Sequence, residues 1–381
     1  MLNQVKEIFD SYDNEGTKRN IKTSVIQFFQ TVYPEASHEN LEIINQKYFS
    51  EERDREEDIQ KFLKSINGKA PLTIKLKICS IKTFFIENDV ELPKKFWKRL
   101  NRLNKGNRAL TLDRIPTKAE FKKILLHMPI HGKALFLTLE SSGMRIGEAL
   151  KSNLDDMYLD ENPVRLQLRG EVTKTGNSRH AFLSYEAKES IQEWLKVREE
   201  YLRVASAKSH LYEKSVNDTR IFPFDPKVAY SIWKKALYKS GLGGKDKSTN
   251  REKLHPHVLR KFFRTRLGAV GIPIDVVEAL MGHEGYLTEV YRRYTVEDLR
   301  KFYLKGESAI LVFTDTQKVM ELHKEIEEKN TQLQVLVNSL ASENQNMKNE
   351  MYQMKERTKR LEDAFLELKD MKEKMKQLLE K

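Results

Sequence analysis

The segment Ser142-Gly143-Met144-Arg145-Ile146-Gly147-Glu148-Ala149-Leu150 does most to decide the fold of this chain. It predicts a glycine-containing turn that leads into a helix, with Arg145 in the first turn and Glu148 three residues later. A guanidinium near a helix N-terminus favours anions, because its fork of donors adds to the free backbone N–H groups there. The same spacing also suits an ordinary ion pair on a helix surface, so the rest of the sequence has to decide.

Two other segments carry basic side chains that suit phosphate chemistry. Residues 172 to 180 predict a hairpin with Lys174 at its tip, where a flexible ammonium can reach a substrate oxygen. Residues 255 to 264 place His257 and Arg260 three residues apart on one helix face, which suits a proton donor beside a phosphate clamp. Taken singly, these segments also suit an exposed turn and a basic helix that faces DNA.

A fourth segment, residues 281 to 294, combines a Gly282-His283 turn with a helix rich in tyrosine. It supplies an imidazole and three candidate nucleophiles, Tyr286, Tyr291 and Tyr294. Isolated tyrosines of this kind are more often core or rim aromatics. The hypothesis of a catalytic tyrosine therefore depends on all four segments together.

The composition restricts the class of protein. Lys and Arg number 68 against 56 Asp and Glu, for a net charge of +12, which favours a polyanion as partner. The single cysteine, Cys79, excludes an internal disulfide framework and a multi-cysteine zinc site. No apolar run approaches the ~18 residues of a membrane span. We expect a soluble intracellular protein with no membrane contact, no metal and no cofactor.

Changes in hydrophobic periodicity and charge along the chain predict four regions. Residues 1–104 read as short amphipathic helices, and residues 105–116 as a basic linker. Residues 117–312 are mostly helical, opened by a Thr117–Glu120 capping box, with one small sheet where 164–168 and 181–183 alternate like strands. Residues 313–381 predict a coiled coil. The expected fold class is mainly α with a small antiparallel β-sheet, an α+β catalytic domain between a helical N-terminal domain and a C-terminal coiled coil.

The boundary between the first two regions is strongly basic. Seven Lys or Arg and no acidic residue lie between 94 and 108: Lys94, Lys95, Lys98, Arg99, Arg102, Lys105 and Arg108. One interpretation is a solvated helix face followed by a linker. The other is a strap that follows a DNA backbone between two domains.

The tail has the period of a coiled coil. Residues 317–381 contain no Gly or Pro, and an apolar residue recurs at every seventh position from Val319 to Met375. The companion positions 329, 343, 350 and 357 are charged, so we expect a weak or irregular centre. The alternative is a single charged helix or a disordered tail. From Phe313 onward the net charge is −1, so the first 312 residues carry +13.

Together the four segments resemble the catalytic domain of the tyrosine recombinase, or phage integrase, family. The order Arg…Lys…His-x-x-Arg…Gly-His…Tyr matches at each element between about Thr117 and Ser308. In position, size and helical texture, residues 1–104 look like the helical core-binding domain of the same family. A coiled coil of this length is not part of the usual family plan.

The resemblance implies a role for each matched residue. Arg145 and Arg260 would clamp the scissile phosphate, with His257 and Lys174 assisting, and Lys174 would protonate the departing 5′-hydroxyl. His283 would hydrogen-bond the phosphate. Glu148 would orient the site from behind these groups.

The nucleophile is the point at which this chain departs from the family. The family tyrosine usually occupies the position that is Arg292 here. Tyr291 lies eight residues after His283 and Tyr294 eleven, on the same predicted helix. We expect Tyr291 to be the nucleophile, with Tyr294 as the alternative and Tyr286 the least favoured.

The resemblance implies a site-specific DNA recombinase of integrase type that acts through a 3′-phosphotyrosyl intermediate. We expect it to act on double-stranded DNA as a tetramer, in the cytoplasm at the nucleoid, for integration or excision of a mobile element. A chromosome dimer resolvase or a type IB topoisomerase-like enzyme would use the same residues. A noncatalytic DNA-binding protein of the same fold is the rival from another class. The coil would self-associate or recruit an accessory protein.

Overall fold

The computed structural model describes residues 5–103, 106, 110–208, 215–282, 294–314 and 316–379. The described residues are mainly helical with one three-stranded antiparallel sheet, so the predicted fold class is confirmed. The chain divides into two compact units, Met1–Pro116 with Tyr230–Val258 and Thr117–Ala229 with Leu259–Lys381. Residues 230–258 thus group with the N-terminal part of the chain. No described helix combines the length and the apolar composition of a membrane span.

Six helices make up the N-terminal part of the first unit, and their apolar faces meet in one core. Phe28 lies at its centre, packed edge-on against Tyr48, Phe62 and Phe85 with ring centroids 5.5 to 5.8 Å apart. This edge-to-face geometry suits the charge distribution of aromatic rings. The helices are α1 (Val5–Asp10), α2 (Glu15–Val32), α3 (Leu41–Ser50), α4 (Arg55–Ser65), α5 (Pro71–Glu87) and α6 (Lys94–Leu103).

The first helix after residue 116 begins with the predicted capping box. The Thr117 hydroxyl accepts a hydrogen bond from the backbone N–H of Glu120, and the Glu120 carboxylate accepts one from the backbone N–H of Thr117. Apolar residues of the later helices form a second core around Phe263 and Tyr303. The helices are α7 (Lys118–Leu125), α8 (Ile130–Ser142), α9 (Ile146–Ala149), α10 (Tyr185–Lys208), α11 (Pro226–Lys239), α12 (Val258–Ala269), α13 (Ile274–Met281), then Val296–Ile310 and the tail helix Thr316–Leu379.

The sheet lies in the second unit and brings one strand end towards α13. Its strands are β1 (Met157–Tyr158), β2 (Val164–Leu168) and β3 (Arg179–Leu183), paired antiparallel in that order. The register places Leu166 opposite Ala181, and β2 alternates buried and half-buried residues as its sequence predicts. Helices α8 and α13 both pack against β3.

One carboxylate holds the segment that leads into the tail helix. Glu186, buried near the start of α10, accepts backbone N–H groups from Val312, Phe313 and Thr314, each at 2.8 Å. These bonds satisfy backbone donors just before the tail helix begins. The tail helix therefore starts from a fixed point on the second unit.

Glu140 on α8 is the buried acid whose ionisation opposes folding. Its Oε1 has no hydrogen-bond partner among the described residues. Burial, and then the charge of Glu186, raises the pKa of Glu140 well above its ordinary value of 4.5. The folded chain keeps this proton while the unfolded chain releases it, so the unfolding free energy falls as the pH rises above that value.

We therefore expect Glu140→Gln, which cannot ionise, to raise the thermal midpoint at pH 8 by about 2 °C or more, and to change it less at pH 5. The measurement is thermal unfolding followed by circular dichroism at both pH values. Glu199→Gln, at an exposed position on α10, is the control and should leave both midpoints unchanged. An equal shift at both pH values would show that ionisation of Glu140 does not affect stability.

Candidate active site

The turn between α8 and α9 holds the first arginine of the site. Gly143 ends α8 at φ +62°, and a Cβ there would lie 2.5 Å from the ring of Phe263, so only glycine fits. Arg145 follows at the N-cap of α9. Its backbone N–H donates to Glu148 Oε2 at 2.8 Å, and its Nη1 donates to Glu148 Oε1 at 2.9 Å.

A second arginine, Arg179 at the start of β3, binds the same carboxylate. Its Nη2 donates to Glu148 Oε2 at 2.7 Å and its Nη1 to Oε1 at 3.3 Å. Burial acts to raise the pKa of Glu148, whose side chain is only 2% exposed. The hydrogen bonds from Arg179 and Arg145 outweigh burial and hold that pKa below its ordinary value. Glu148 is therefore an ionised, buried anchor for two guanidinium groups.

Arg260 on α12 connects the Gly143 turn to the end of α13. Its guanidinium is buried and donates from Nη1 to the carbonyl of Gly143 and from Nη2 to the carbonyl of Met281 at 2.8 Å. Burial, and then the positive charge of Arg145, lowers the pKa of Arg260 to about 10. Two uncharged carbonyls thus fix the position of a cation that lies close to other cations.

Three guanidinium groups and one carboxylate leave an excess of two positive charges in this cluster. Arg145 is the more open of the two arginines on Glu148, with 27% of its side chain exposed against 13% for Arg179. Fixed cationic donors of this kind bind phosphate, and they stabilise the negative charge that grows on its oxygens when the phosphorus is attacked. The cluster can therefore act both as a phosphate clamp and as electrostatic stabilisation of a transition state.

Arg179 belongs to the cluster although its sequence context suggested no role for it. The available signal was strand alternation, since Arg179 shares one face of β3 with the buried Ala181 and Leu183. Gly282, at φ +66°, lies against this side chain, and a Cβ there would come within 2.5 Å of Arg179 Nε. The end of α13, after which His283 follows, is thereby held beside the cluster.

Lys174 lies on the exposed loop between β2 and β3. The loop folds closely on itself, because Thr173 Oγ1 donates to the Gly170 carbonyl at 2.9 Å and a Cβ on Gly170 would lie 2.2 Å from the Gly176 carbonyl. Within the described residues, Lys174 makes no hydrogen bond to the arginine cluster. The structure presents its ammonium to solvent at the tip of a compact loop.

His257 immediately precedes α12, so the helix begins one residue after it. The ring is exposed and stacks on His255, with centroids 6.4 Å apart and planes at 7°. His255 Nε2 in turn lies 3.3 Å from Asp113 Oδ2. These three residues belong to the first unit, whereas Arg260 belongs to the second.

Of the three candidate nucleophiles, the structure describes Tyr294. Its hydroxyl donates to Asp275 Oδ2 at 2.7 Å, and its ring packs edge-on against Phe302 with centroids 6.2 Å apart. Tyr294 thus has a structural role at the edge of the second core. His283, Tyr286 and Tyr291 lie outside the described residues.

The basic run forms helix α6, whose two faces differ sharply. Phe96, Trp97 and Leu100 are buried in the first core. The basic side chains that the structure describes are all exposed, namely Lys94, Lys95, Lys98, Arg99 and Arg102. Lys105 and Arg108 lie outside the described residues. The helix therefore offers a positively charged face to a partner while its apolar face anchors it.

The pair formed by Arg179 and Glu148 gives a stability prediction. Arg179→Met leaves a buried carboxylate short of its main partner, and we expect it to cost about 3 kcal/mol of unfolding free energy. The matched control is Arg203→Met, which removes an arginine paired at 2.7 Å with Glu200 where both side chains are exposed; it should cost less than about 1 kcal/mol. Urea denaturation measures both, and equal losses would refute the anchoring role of Arg179.

Comparison with known proteins supports the family resemblance of residues 115–299. The model of the phage integrase family matches residues 115–299. Tyrosine recombinase XerD of Corynebacterium glutamicum is 30% identical over 194 residues, which cover 51% of this chain and 57% of that protein. Tyrosine recombinase XerA of Pyrococcus furiosus is 24% identical over 253 residues, which cover 64% of this chain and 78% of that protein.

Among solved structures, a lambda integrase (75-356) dimer bound to a COC' core site has a TM-score of 0.49 and 16% identity, over 77% of this chain and 99% of that one. The matched region of the sequence contains every residue of the arginine cluster, together with Lys174, His257, His283 and the candidate tyrosines. Residues 115–299 of this chain are therefore similar to the phage integrase family and to tyrosine recombinases.

Proposed function

We propose that this protein is a site-specific DNA recombinase that breaks and rejoins DNA strands through a 3′-phosphotyrosyl intermediate. The observation that carries the proposal is the cluster of Arg145, Arg179 and Arg260 around the buried carboxylate of Glu148. It lies within the region that matches the family. A clamp with two excess positive charges suits a phosphodiester that gains negative charge during attack.

In the proposed reaction, the hydroxyl of Tyr291 releases its proton to solvent and its oxygen attacks the scissile phosphorus. A phosphorus–oxygen bond to tyrosine forms, and the bond to the 5′-oxygen breaks. Lys174 donates the proton that makes this oxygen a 5′-hydroxyl. Because the phosphotyrosyl ester conserves the bond energy, a 5′-hydroxyl from another strand can reverse the step and rejoin the DNA.

The other residues position or stabilise the phosphate. Arg145 and Arg260 would bind its non-bridging oxygens, and His257 and His283 would complete the set of donors. Glu148 acts by holding Arg145, since its carboxylate bonds both the backbone and the side chain of that residue. Tyr294 is the less suitable nucleophile, because its hydroxyl is already bound to Asp275.

The proposal extends to the substrate and the setting. Exposed cations on α6 would follow the phosphate backbone of double-stranded DNA. We propose that four copies assemble on two DNA segments, at the nucleoid in the cytoplasm, to integrate or excise a mobile element. Resolution of chromosome dimers would use the same residues. The two roles are distinguished by comparing how efficiently the protein joins two DNA molecules with how efficiently it excises a segment from one.

The nucleophile is tested by trapping the covalent intermediate. The protein is incubated with a pool of duplexes of randomised core sequence, each with one nick that releases the cleaved end. Denaturing electrophoresis then detects DNA bound covalently to protein, and peptide mass spectrometry identifies the modified residue. We expect an adduct in the parent and in Tyr294→Phe, and at least a hundredfold less in Tyr291→Phe.

Two results would contradict the assignment. Loss of the adduct in Tyr294→Phe alone would make Tyr294 the nucleophile. If the parent and both variants bind DNA but none of them forms an adduct, a noncatalytic DNA-binding protein becomes the better explanation.

The role of α6 is tested through the salt dependence of DNA affinity. Each cation that neutralises a phosphate contributes about 0.9 to the slope of log K against log salt. Replacing Lys94, Lys98 and Arg102 together by Gln should lower the slope by about 2 to 3. Replacing three exposed tail lysines, Lys348, Lys355 and Lys359, is the matched control and should leave the slope unchanged. Equal slopes in both triple variants would exclude α6 from the DNA-binding surface.

A further inference from the structure

The tail helix exposes an apolar stripe that no other described part of the chain covers. Every residue from 328 to 369 is exposed. Leu333, Leu340 and Leu361 keep 57%, 49% and 72% of their surface in contact with solvent. A helix with such a stripe is stabilised mainly by packing against a partner, so the stripe marks an interaction surface.

The stripe has two sets of positions with different chemistry. The first set, every seventh residue through Leu333, Leu340, Met347, Met354 and Leu361, is apolar throughout. The second set lies three residues after each of these, and its central members are Glu343, Glu350 and Arg357. In a coiled coil these are the two core positions of each heptad. The charges at the second set therefore have to be accommodated inside the seam.

A parallel pair of tail helices would place like charges opposite each other. In that arrangement each core residue faces the same residue of the second copy. Glu343, Glu350 and Arg357 would each face an identical charge. Lys329, another second-set residue, would also face its own counterpart. Like charges directly opposed in a seam destabilise it, so the sequence opposes the parallel arrangement.

An antiparallel pair removes most of this conflict. When the two helices run in opposite directions, first-set positions of one chain face second-set positions of the other. With the two-fold axis between Met347 and Glu350, each of the nine first-set residues from Val319 to Met375 faces a second-set residue, and neither helix overhangs. Met347 then faces Glu350 of the second copy, and Leu333 faces Ala364.

The same register places opposite charges side by side. Arg357 of one chain lies one layer, about 5 Å along the axis, from Glu343 of the other, and the two-fold axis creates this contact twice. Glu350 meets Glu350 of the second copy once, also one layer apart. In the antiparallel seam each charged second-set residue faces an apolar residue of the other chain. Between neighbouring layers there are two Arg357–Glu343 attractions and one Glu350–Glu350 repulsion at about 5 Å, and two Glu343–Glu350 repulsions at about 6 Å. These contacts replace four layers in which like charges are directly opposed.

We propose that the tail helices of two copies of this chain pair antiparallel, in the register centred between Met347 and Glu350. At about 1.5 Å per residue, the 64-residue helix spans roughly 95 Å. The second unit of each chain would then lie at opposite ends of a common rod. The pairing needs no DNA, so it stands independently of the recombinase proposal.

Cysteine cross-linking in the full-length chain measures the orientation. Cys79 is exposed and is first replaced by serine, which leaves a chain without cysteine. Leu333→Cys and Ala364→Cys are then made in this background and oxidised in the absence of DNA. In the proposed register these two positions face each other, whereas each lies about 45 Å from its own counterpart.

We expect a disulfide-linked dimer from the mixture of the two variants and none from either variant alone. A dimer from Leu333→Cys alone would establish parallel pairing and overturn the proposal. No cross-link in any sample, together with a monomeric mass by sedimentation, would also overturn it and would indicate that a different protein covers the stripe.

Charge reversal gives an independent test of the register. In the antiparallel pair, Arg357→Glu alone turns both contacts with Glu343 into repulsions and should weaken dimerisation about tenfold. Glu343→Arg does the same but also relieves two repulsions with Glu350, so it should weaken dimerisation less. The double variant restores opposite charges and should dimerise at least as tightly as the parent. In a parallel pair every like-charge layer stays like-charged, so a double variant no tighter than the singles would refute the register. Sedimentation equilibrium measures the dissociation constants.

Discussion

The buried carboxylate of Glu148 is the group on which the rest of the site depends. It accepts hydrogen bonds from Arg179 on β3 and from both the backbone and the side chain of Arg145. A single carboxylate thus joins the sheet to the turn after α8. A buried charge is stable only when it is paired. Moving either arginine away would leave the Glu148 carboxylate buried without full compensation, at a large cost in free energy. This constraint fixes the positions of the Arg145 and Arg179 guanidinium groups within the folded chain.

Arg260 connects this cluster to α13 through hydrogen bonds to uncharged partners. Its bonds to the carbonyls of Gly143 and Met281 set its position without cancelling its charge. Its lowered pKa reflects how costly this buried cation is beside Arg145. An anion bound at the cluster would reduce that cost, so the excess positive charge of the cluster favours binding of a phosphate. Gly143 and Gly282 make this packing feasible, since a Cβ at either position would collide with a neighbouring side chain.

The tail helix is stabilised by different interactions from those of the arginine cluster. Its stripe is apolar enough to need a partner, but its central charges limit which arrangement of partners is stable. Glu186 near the start of α10 holds the residues that lead into this helix by accepting their backbone N–H groups. Positive charge is concentrated elsewhere, including on the exposed face of α6, so the surface proposed to bind DNA and the apolar stripe of the tail are separate along the chain.

Local patterns in the sequence were enough to predict the secondary-structure elements. Periodicity and capping residues predicted the helices, the hairpin strands and the Thr117–Glu120 box, and the ordered motifs predicted the family whose model matches residues 115–299. These are local signals, set by residues a few positions apart. Only the tertiary structure placed Arg179 on Glu148 and bound the hydroxyl of Tyr294 to Asp275. Those contacts join residues 31 and 19 positions apart, and they depend on how strands and helices pack, which no local pattern encodes.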